Sequence, residues 1–305
     1  MFRRTIAPVA CALCLLLLAG CSPKEPHPPA KKPPERKLQV GLLPEQNIFR
    51  QIERYEPLMA YLGKKTGVRY ELKILPRYGN IVNNFKSLGL DGAFFGSFTY
   101  ALAHSRMGLV VLARPEGENG ISTYHGLLFV RKDSRIRTVG DMKGKRLACV
   151  DKATTAGYLL PLAYFHENGI NDCRKYLKEV YFAGTHEDAI LDVLNRKADI
   201  GAAKNTVYER MAAQDNNVKK ELTILAVSPD VPETALALRG DLEEDLKSKI
   251  KEALLAMGQD PEGKEVLRQF GAARFIETRD GDYEPVFRYA RELHLDLATY
   301  DYQND

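Results

Sequence analysis

Apolar and polar positions fall into short blocks that alternate in length and period along the chain. Leu38-Gln39-Val40-Gly41-Leu42-Leu43 reads as a first strand ended by Pro44. Leu58, Met59, Tyr61 and Leu62 then recur at helical spacing, which predicts a helix over 53–66 stopped by Gly67. Strands follow at 70–75, 91–96 and 109–114, separated by helices over 80–88 and 99–106. Such alternation predicts a mainly parallel sheet covered by helices. A second series follows, with strands at 124–130, 147–150, 180–182, 199–203 and 223–228 and helices after Thr155 and over 187–195. A further strand at 236–239 and amphipathic helices over 242–257 and 261–270 complete the chain. The series divide it into lobe, lobe and return: 38–128 with 227–305 as lobe 1, and 129–226 as lobe 2. Crossings near Phe129 and Ala226 would form a hinge. The fold class is therefore α/β and two-lobed, each lobe a mixed sheet flanked by helices. A ligand pocket belongs in the cleft, where strand ends and helix N-termini converge.

One stretch concentrates the candidate chemistry. Leu147 to Pro161 reads L-A-C-V-D-K-A-T-T-A-G-Y-L-L-P, a strand, a turn and a helix start. Thr154 or Thr155 would occupy the helix N-cap, where side-chain oxygens meet unpaired N–H groups and the positive pole of the helix dipole. Hydroxyls and N–H groups together would hold an oxyanion without a Lys or Arg. An ordinary capped helix is the alternative on this stretch alone.

The first residues change the picture of location. Arg3 and Arg4, an apolar run to Leu18, and then Leu18-Ala19-Gly20-Cys21 have signal-peptide form, too short to span a bilayer. The small residues before Cys21 match the bacterial lipobox. Resemblance to bacterial lipoproteins implies 1–20 as a lipoprotein signal peptide, with Cys21 lipidated and anchored to a membrane surface. The Pro- and charge-rich segment 21–37 reads as a tether holding a globular body off the membrane, in the cell envelope and facing the periplasm or the exterior.

Composition excludes several classes. With 44 basic and 40 acidic residues, formal charge +4, and no basic stripe with interleaved aromatics, nucleic-acid binding has no support. No Cys-x-x-Cys or His/Cys cluster predicts a metal site, and no cofactor is implied. Of the five cysteines, Cys11 and Cys14 leave with the signal, and an oxidising compartment permits a disulfide between Cys149 and Cys173.

From Leu38 to the C-terminal helices the chain resembles the phosphate/phosphite/phosphonate-binding proteins of bacterial ABC importers. The resemblance is carried by Tyr55-Glu56-Pro57-Leu58, Asp91-Gly92-Ala93-Phe94-Phe95-Gly96, Tyr124-His125-Gly126, Arg131-Lys132-Asp133-Ser134, Asp141-Met142-Lys143-Gly144-Lys145, Asp151 through Gly157, and Gly184-Thr185-His186-Glu187. It implies the type II periplasmic-binding-protein fold, capture without chemistry, and a monomer that delivers its ligand to a permease. The implied oxyanion site comprises Thr154 and Thr155, the backbone of Ala156, Tyr124 and His186, with Tyr78 as a further cleft aromatic. Ser97 stands where the family often has Pro or Asn, and its role is open. Ala156 in Thr154-Thr155-Ala156-Gly157 removes one hydroxyl that the family commonly has. Relatives that take aminoalkylphosphonates hold the ammonium with a carboxylate, whereas the stretch read as corresponding, Ala202-Ala203-Lys204-Asn205-Thr206, has none. An ammonium-bearing ligand is therefore disfavoured. Lys204 and Asn205 either add donors for an anion or, for Lys204, point to solvent.

Two other functions compete with the importer receptor. The same closed form can signal to a membrane sensor. An enzyme is disfavoured, because no H-E-x-x-H, no G-x-S-x-G and no Cys nucleophile with a His partner occurs. Phosphate, phosphite and phosphonates all stand as ligands.

Overall fold

The structure is a computed structural model, and it describes residues 36–304 apart from Asn80. The signal segment, Cys21 and nearly all of the tether lie outside the described residues. Strands β1 (Lys37–Leu42), β2 (Arg69–Ile74), β3 (Gly92–Phe95) and β4 (Val110–Glu116) come first. A two-residue strand, β5 (Thr123–Tyr124), leads into β6 (Gly126–Arg131), β7 (Arg146–Cys149), β8 (Glu179–Phe182), β9 (Ile200–Lys204) and β10 (Leu222–Val227). The chain returns through β11 (Val231–Pro232) to β12 (Ala235–Leu238) and β13 (Arg274–Glu277).

Lobe 1 is a six-stranded sheet in the order β13-β4-β12-β3-β1-β2, and lobe 2 a five-stranded sheet in the order β10-β6-β9-β7-β8. Both are mixed rather than mainly parallel. In lobe 1, β1 runs parallel to β2 and β3, while β12 lies antiparallel between β3 and β4. In lobe 2, β7 is parallel to β8 and β9, and β6 is antiparallel to β9 and β10. The returning strands impose this, because a chain re-entering from the other lobe arrives in the opposite direction. The crossings are the antiparallel pair β5 and β11, with Tyr124 opposite Val231. They lie outside Phe129 and Ala226, which are already paired within the lobe 2 sheet.

The helices are α1 (Ile48–Thr66), α2 (Ile81–Ser87), α3 (Ser97–Met107), α4 (Leu160–Glu167), α5 (Cys173–Tyr176), α6 (His186–Leu194), α7 (Asn205–Gln214), α8 (Asn216–Glu221), α9 (Glu244–Ala256), α10 (Pro261–Phe270) and α11 (Glu284–Glu292). The first shows why local sequence decides boundaries. The Asn47 side chain accepts the Phe49 N–H at 3.0 Å, and Gly67 ends the helix at φ 71°. Tyr55 on its buried face meets Phe94 and Phe270 edge-on, with centroids 4.8 and 5.1 Å away, and these rings anchor the lobe 1 core. Lobe 2 has its own core around Leu147, Phe165 and Ile200, in which Cys149 and Cys173 are buried free thiols, so the permitted disulfide is not formed. A third apolar cluster joins Phe95 and Phe98 of lobe 1 to Phe129, Val150 and Ile190 of lobe 2. The lobes are thus packed on each other through this cluster, which forms the seam between them.

Candidate functional site

Two helix N-termini face each other across that seam. On the lobe 2 side, β7 runs into a loop held by Asp151. The Thr154 N–H donates to the Asp151 carbonyl at 2.9 Å, and the Thr154 hydroxyl donates to the same oxygen at 2.6 Å. The helix then opens as a π-turn over Thr155–Leu159, with the Leu159 N–H reaching the Thr154 carbonyl at 3.1 Å. Gly157 permits this geometry. A Cβ there would lie 2.4 Å from Val150 Cβ and Cγ2, while the Val150 N–H donates to the Gly157 carbonyl at 3.1 Å. Thr154 is therefore the residue before the helix, but its hydroxyl is turned back to Asp151 and does not cap it.

From lobe 1, β3 ends at Phe95 and α3 begins at Ser97. The Ser97 N–H donates to the Tyr124 hydroxyl at 3.3 Å, and the Phe98 N–H donates to Thr155 Oγ1 at 2.8 Å. The Thr99 hydroxyl donates to the Ala153 carbonyl at 2.8 Å. The first N–H groups of α3, which have no intrahelical acceptor, are thus met by hydroxyl oxygens of the crossing strand and of lobe 2. The Ser97 hydroxyl donates to the Pro232 carbonyl at 2.6 Å and ties α3 to the crossing.

His186 opens α6 and is buried. Its N–H donates to the Glu45 carbonyl at 3.2 Å, and its Nδ1 accepts the Lys204 N–H at 3.2 Å, which leaves the proton on Nε2. Burial, with Lys204 adding to it and Glu45 opposing it, pushes its pKa down to about 4, so at neutral pH it is an uncharged donor. The Tyr78 ring lies edge-on to it at 6.2 Å, and the buried Tyr78 hydroxyl has no hydrogen-bond partner among the described residues. Burial raises the Tyr78 pKa well above the usual phenol value and keeps it protonated.

Of the residues singled out from the sequence, Ser97, Tyr124 and Thr155 are joined by direct hydrogen bonds through α3, and Tyr78 and His186 by ring contact. Ala156 is buried, packed against Gly126 where a Cβ would lie 3.2 Å from the Ala156 Cα. Asn205 is engaged elsewhere: its Oδ1 accepts the His125 N–H at 3.0 Å, and its Nδ2 donates to Glu209 at 3.2 Å. Lys204 does not point to solvent. It is 3 % exposed and ion-paired with Glu45 and Glu233. Sequence reasoning missed those two carboxylates because they come from the loop after β1 and from the crossing rather than from 202–206. It also missed Asp151, fully buried, whose carboxylate accepts the Gly79 N–H of lobe 1 at 3.1 Å and the Asn304 amide at 2.8 Å. A charged residue ending an all-buried strand, as Lys204 ends β9, was the available signal. Beside this seam lies a polar cavity of about 380 Å³, lined by Arg54, His125, Lys204, Asn205, Arg210 and Glu233 among others.

A hinged, two-lobed α/β body with facing donor-rich helix starts defines a ligand-clamping receptor. A profile of the family described as "ABC transporter, phosphonate, periplasmic substrate-binding protein" matches residues 40–283. The chain belongs to that family, whose members are transport receptors and not enzymes. It is 27 % identical to the phosphonates-binding periplasmic protein of Escherichia coli over 84 % of this chain and 76 % of that one. It is 28 % identical to a phosphate-import protein of Mycolicibacterium smegmatis over 68 % of each chain. In fold it is similar to a binding-protein component of a phosphonate transporter from Pseudomonas aeruginosa, with a TM-score of 0.78 at 23 % identity over 85 % of this chain and 87 % of the other. It is also similar to a Prochlorococcus marinus protein solved with methylphosphonate, with a TM-score of 0.75 at 22 % identity over 85 % of this chain and 98 % of the other.

Proposed function

We propose that this protein is the lipid-anchored, monomeric receptor of an ABC importer and captures a small phosphorus oxyanion between its lobes. The observation that carries the reading is the set of neutral donors at the seam. These are the first N–H groups of α3, the Tyr124 and Thr155 hydroxyls, and His186 Nε2–H, together with the buried and unpartnered Tyr78 hydroxyl. Neutral donors at helix N-termini hold anions while keeping the site free of a permanent counter-charge that would hinder release. Lys204, the buried cation nearby, is already neutralised by carboxylates. The relatives named for phosphonate, phosphate and phosphite support the ligand class.

Calorimetric titration with phosphate, phosphite, methylphosphonate and 2-aminoethylphosphonate tests it. One or more of the first three is expected to bind in the micromolar range or tighter, above the amino compound, and to be recovered unchanged. No binding of any of them at millimolar concentration would refute the ligand class. Anchoring through Cys21 rests on the lipobox-like Leu18-Ala19-Gly20-Cys21. It predicts an acylated N-terminal cysteine by mass spectrometry of membrane-extracted protein and release to the soluble fraction on Cys21→Ala.

A further inference from the structure

Lys204 is the last residue of β9 in lobe 2, but the groups that hold its ammonium all come from outside that lobe. Nζ donates to Glu45 Oε1 at 3.3 Å, to Thr234 Oγ1 at 2.9 Å and to Glu233 Oε1 at shorter range. The Thr234 hydroxyl donates in turn to Glu45 at 2.9 Å, and the Tyr124 ring centroid lies 4.5 Å from Nζ. Glu45 belongs to the loop after β1, and Glu233 and Thr234 to the segment between β11 and β12. Three acceptors and an aromatic face form a complete cage for a primary ammonium, which has three N–H donors and no acceptor. Among the described residues no other cation lies within salt-bridge distance of Glu45 or Glu233. The same Tyr124 whose ring covers this cage carries the hydroxyl that meets the N-terminus of α3, so the cage adjoins the oxyanion donors.

We propose that Lys204 is a specificity-determining residue: its ammonium occupies, from within the chain, a cage that would otherwise accept the ammonium of a ligand, and in doing so it latches lobe 2 to Glu45 and Glu233. Amino-substituted ligands are thus excluded because the acids near the seam are already neutralised, not because acids are missing. Removing the Lys204 side chain takes away the one cation ion-paired with both carboxylates, leaving Arg54 and Arg210 in the cavity wall beyond ion-pair distance, and an unpaired buried carboxylate strongly favours a small cation that can reach it. The access route is the 380 Å³ cavity, which both Lys204 and Glu233 line.

The ligand arm of the test rests on the oxyanion reading, and the stability arm does not. Full-length wild type, Lys204→Ala and Lys204→Arg are titrated with 2-aminoethylphosphonate and propylphosphonate, which differ in an ammonium against a methyl. Wild type and Lys204→Arg should prefer propylphosphonate, whereas Lys204→Ala should shift the ratio of affinities at least tenfold toward the amino compound. An unchanged ratio in Lys204→Ala overturns the proposal. In thermal denaturation Lys204→Ala should melt lower than wild type and regain stability in ethylammonium chloride but not in sodium chloride of equal ionic strength. Wild type should show no such selectivity, and equal response of both proteins to the two salts also overturns the proposal. If wild type binds neither phosphonate, the oxyanion reading fails while the ethylammonium arm still decides this one. Should Lys204→Ala not fold, the double variant Lys204→Ala/Glu233→Gln keeps one carboxylate in the cage. Ethylammonium must then stabilise it more than wild type, and failure to do so overturns the latch.

Discussion

Between pH 6.5 and 5, acid should weaken this protein through the buried His186 imidazole. His186 carries a pKa of about 4 in the folded chain against an ordinary value of 6.5, with burial as the leading cause. On lowering the pH, the unfolded chain takes up this proton near 6.5 and the folded chain only near 4. The stability that neutral His186 contributes is therefore fully present above about pH 6.5 and drains away as pH falls toward 4, at roughly 1.4 kcal/mol per unit and about 3 kcal/mol in all. Glu45 works in a lower window. Burial opposes its charge, but Lys204, His186 and Arg54 beside it hold its pKa down to about 2, so it adds a loss only as pH falls below its ordinary 4.5. Urea denaturation at intervals from pH 8 to pH 5 isolates the histidine. The comparison is His186→Asn, whose Oδ1 can replace Nδ1 as acceptor for the Lys204 N–H but does not titrate. The variant starts less stable because it packs less volume, yet its stability should be nearly flat between pH 6.5 and 5 where the wild type falls by about 2 kcal/mol. Parallel curves for the two proteins would refute the assignment of this window to His186.

Three further outcomes follow from contacts at the seam. Thr155→Val removes the acceptor of the Phe98 N–H and should cost about 1–3 kcal/mol of stability for the buried donor left unpaired, with at least a tenfold loss of oxyanion affinity by calorimetry. Tyr78→Phe deletes a hydroxyl that has no hydrogen-bond partner among the described residues, so the melting temperature should hold or rise while oxyanion affinity drops. Gly157→Ala drives a methyl to 2.4 Å from Val150; overpacking of this kind costs about 1–3 kcal/mol, read as a lower urea midpoint at unchanged slope.

Much of the architecture was legible because burial follows short apolar runs. Leu38, Val40 and Leu42 of β1 are all buried, as are all four residues of β3 and of β12. Where exposure breaks that correspondence, the sequence misleads. The helix expected from 53 begins at Ile48, where Asn47 caps it, but Ile48 and Phe49 are 40 % and 72 % exposed and do not continue the buried stripe, so the pattern hides its first turn. The two-residue crossing strands β5 and β11 are too short to carry a period, so the pattern of apolar positions does not mark them. The site divides in the same way. Tyr124, Thr155 and His186 stand beside recognisable turns and helix starts. Thr154 does not cap because its side chain is turned back to donate to the Asp151 carbonyl, which takes its oxygen away from the first helical N–H groups, an orientation set by loop geometry. The Lys204 cage joins positions 45, 204, 233 and 234, which only the closing of one lobe on the other brings together. The stretch 202–206 cannot report the cage, because its carboxylates stand at positions 45 and 233.

The closed seam also bears on which guests the clamp prefers. Phe98 N–H, a buried donor at a helix N-terminus, is satisfied in this arrangement by the neutral oxygen of Thr155. A guest that binds there must replace that bond, so its gain is the difference between its own bond and the one displaced. A neutral hydroxyl from a sugar or alcohol replaces like with like and gains little. An anionic oxygen forms a charge-assisted bond roughly twice as strong as a neutral one and also interacts with the positive end of α3. The cross-lobe bonds Gly79 to Asp151, Thr99 to Ala153 and Lys204 to Glu45 remain available to hold closure while that exchange occurs. These closing contacts are the protein's own, so on the proposed reading a ligand would need only to bias an open–shut equilibrium toward a form they already support. On the proposed oxyanion reading, a guest oxygen would take the Phe98 N–H from Thr155 and gain the freed Thr155 hydroxyl as a second donor, so discrimination by charge would need no permanent cation there.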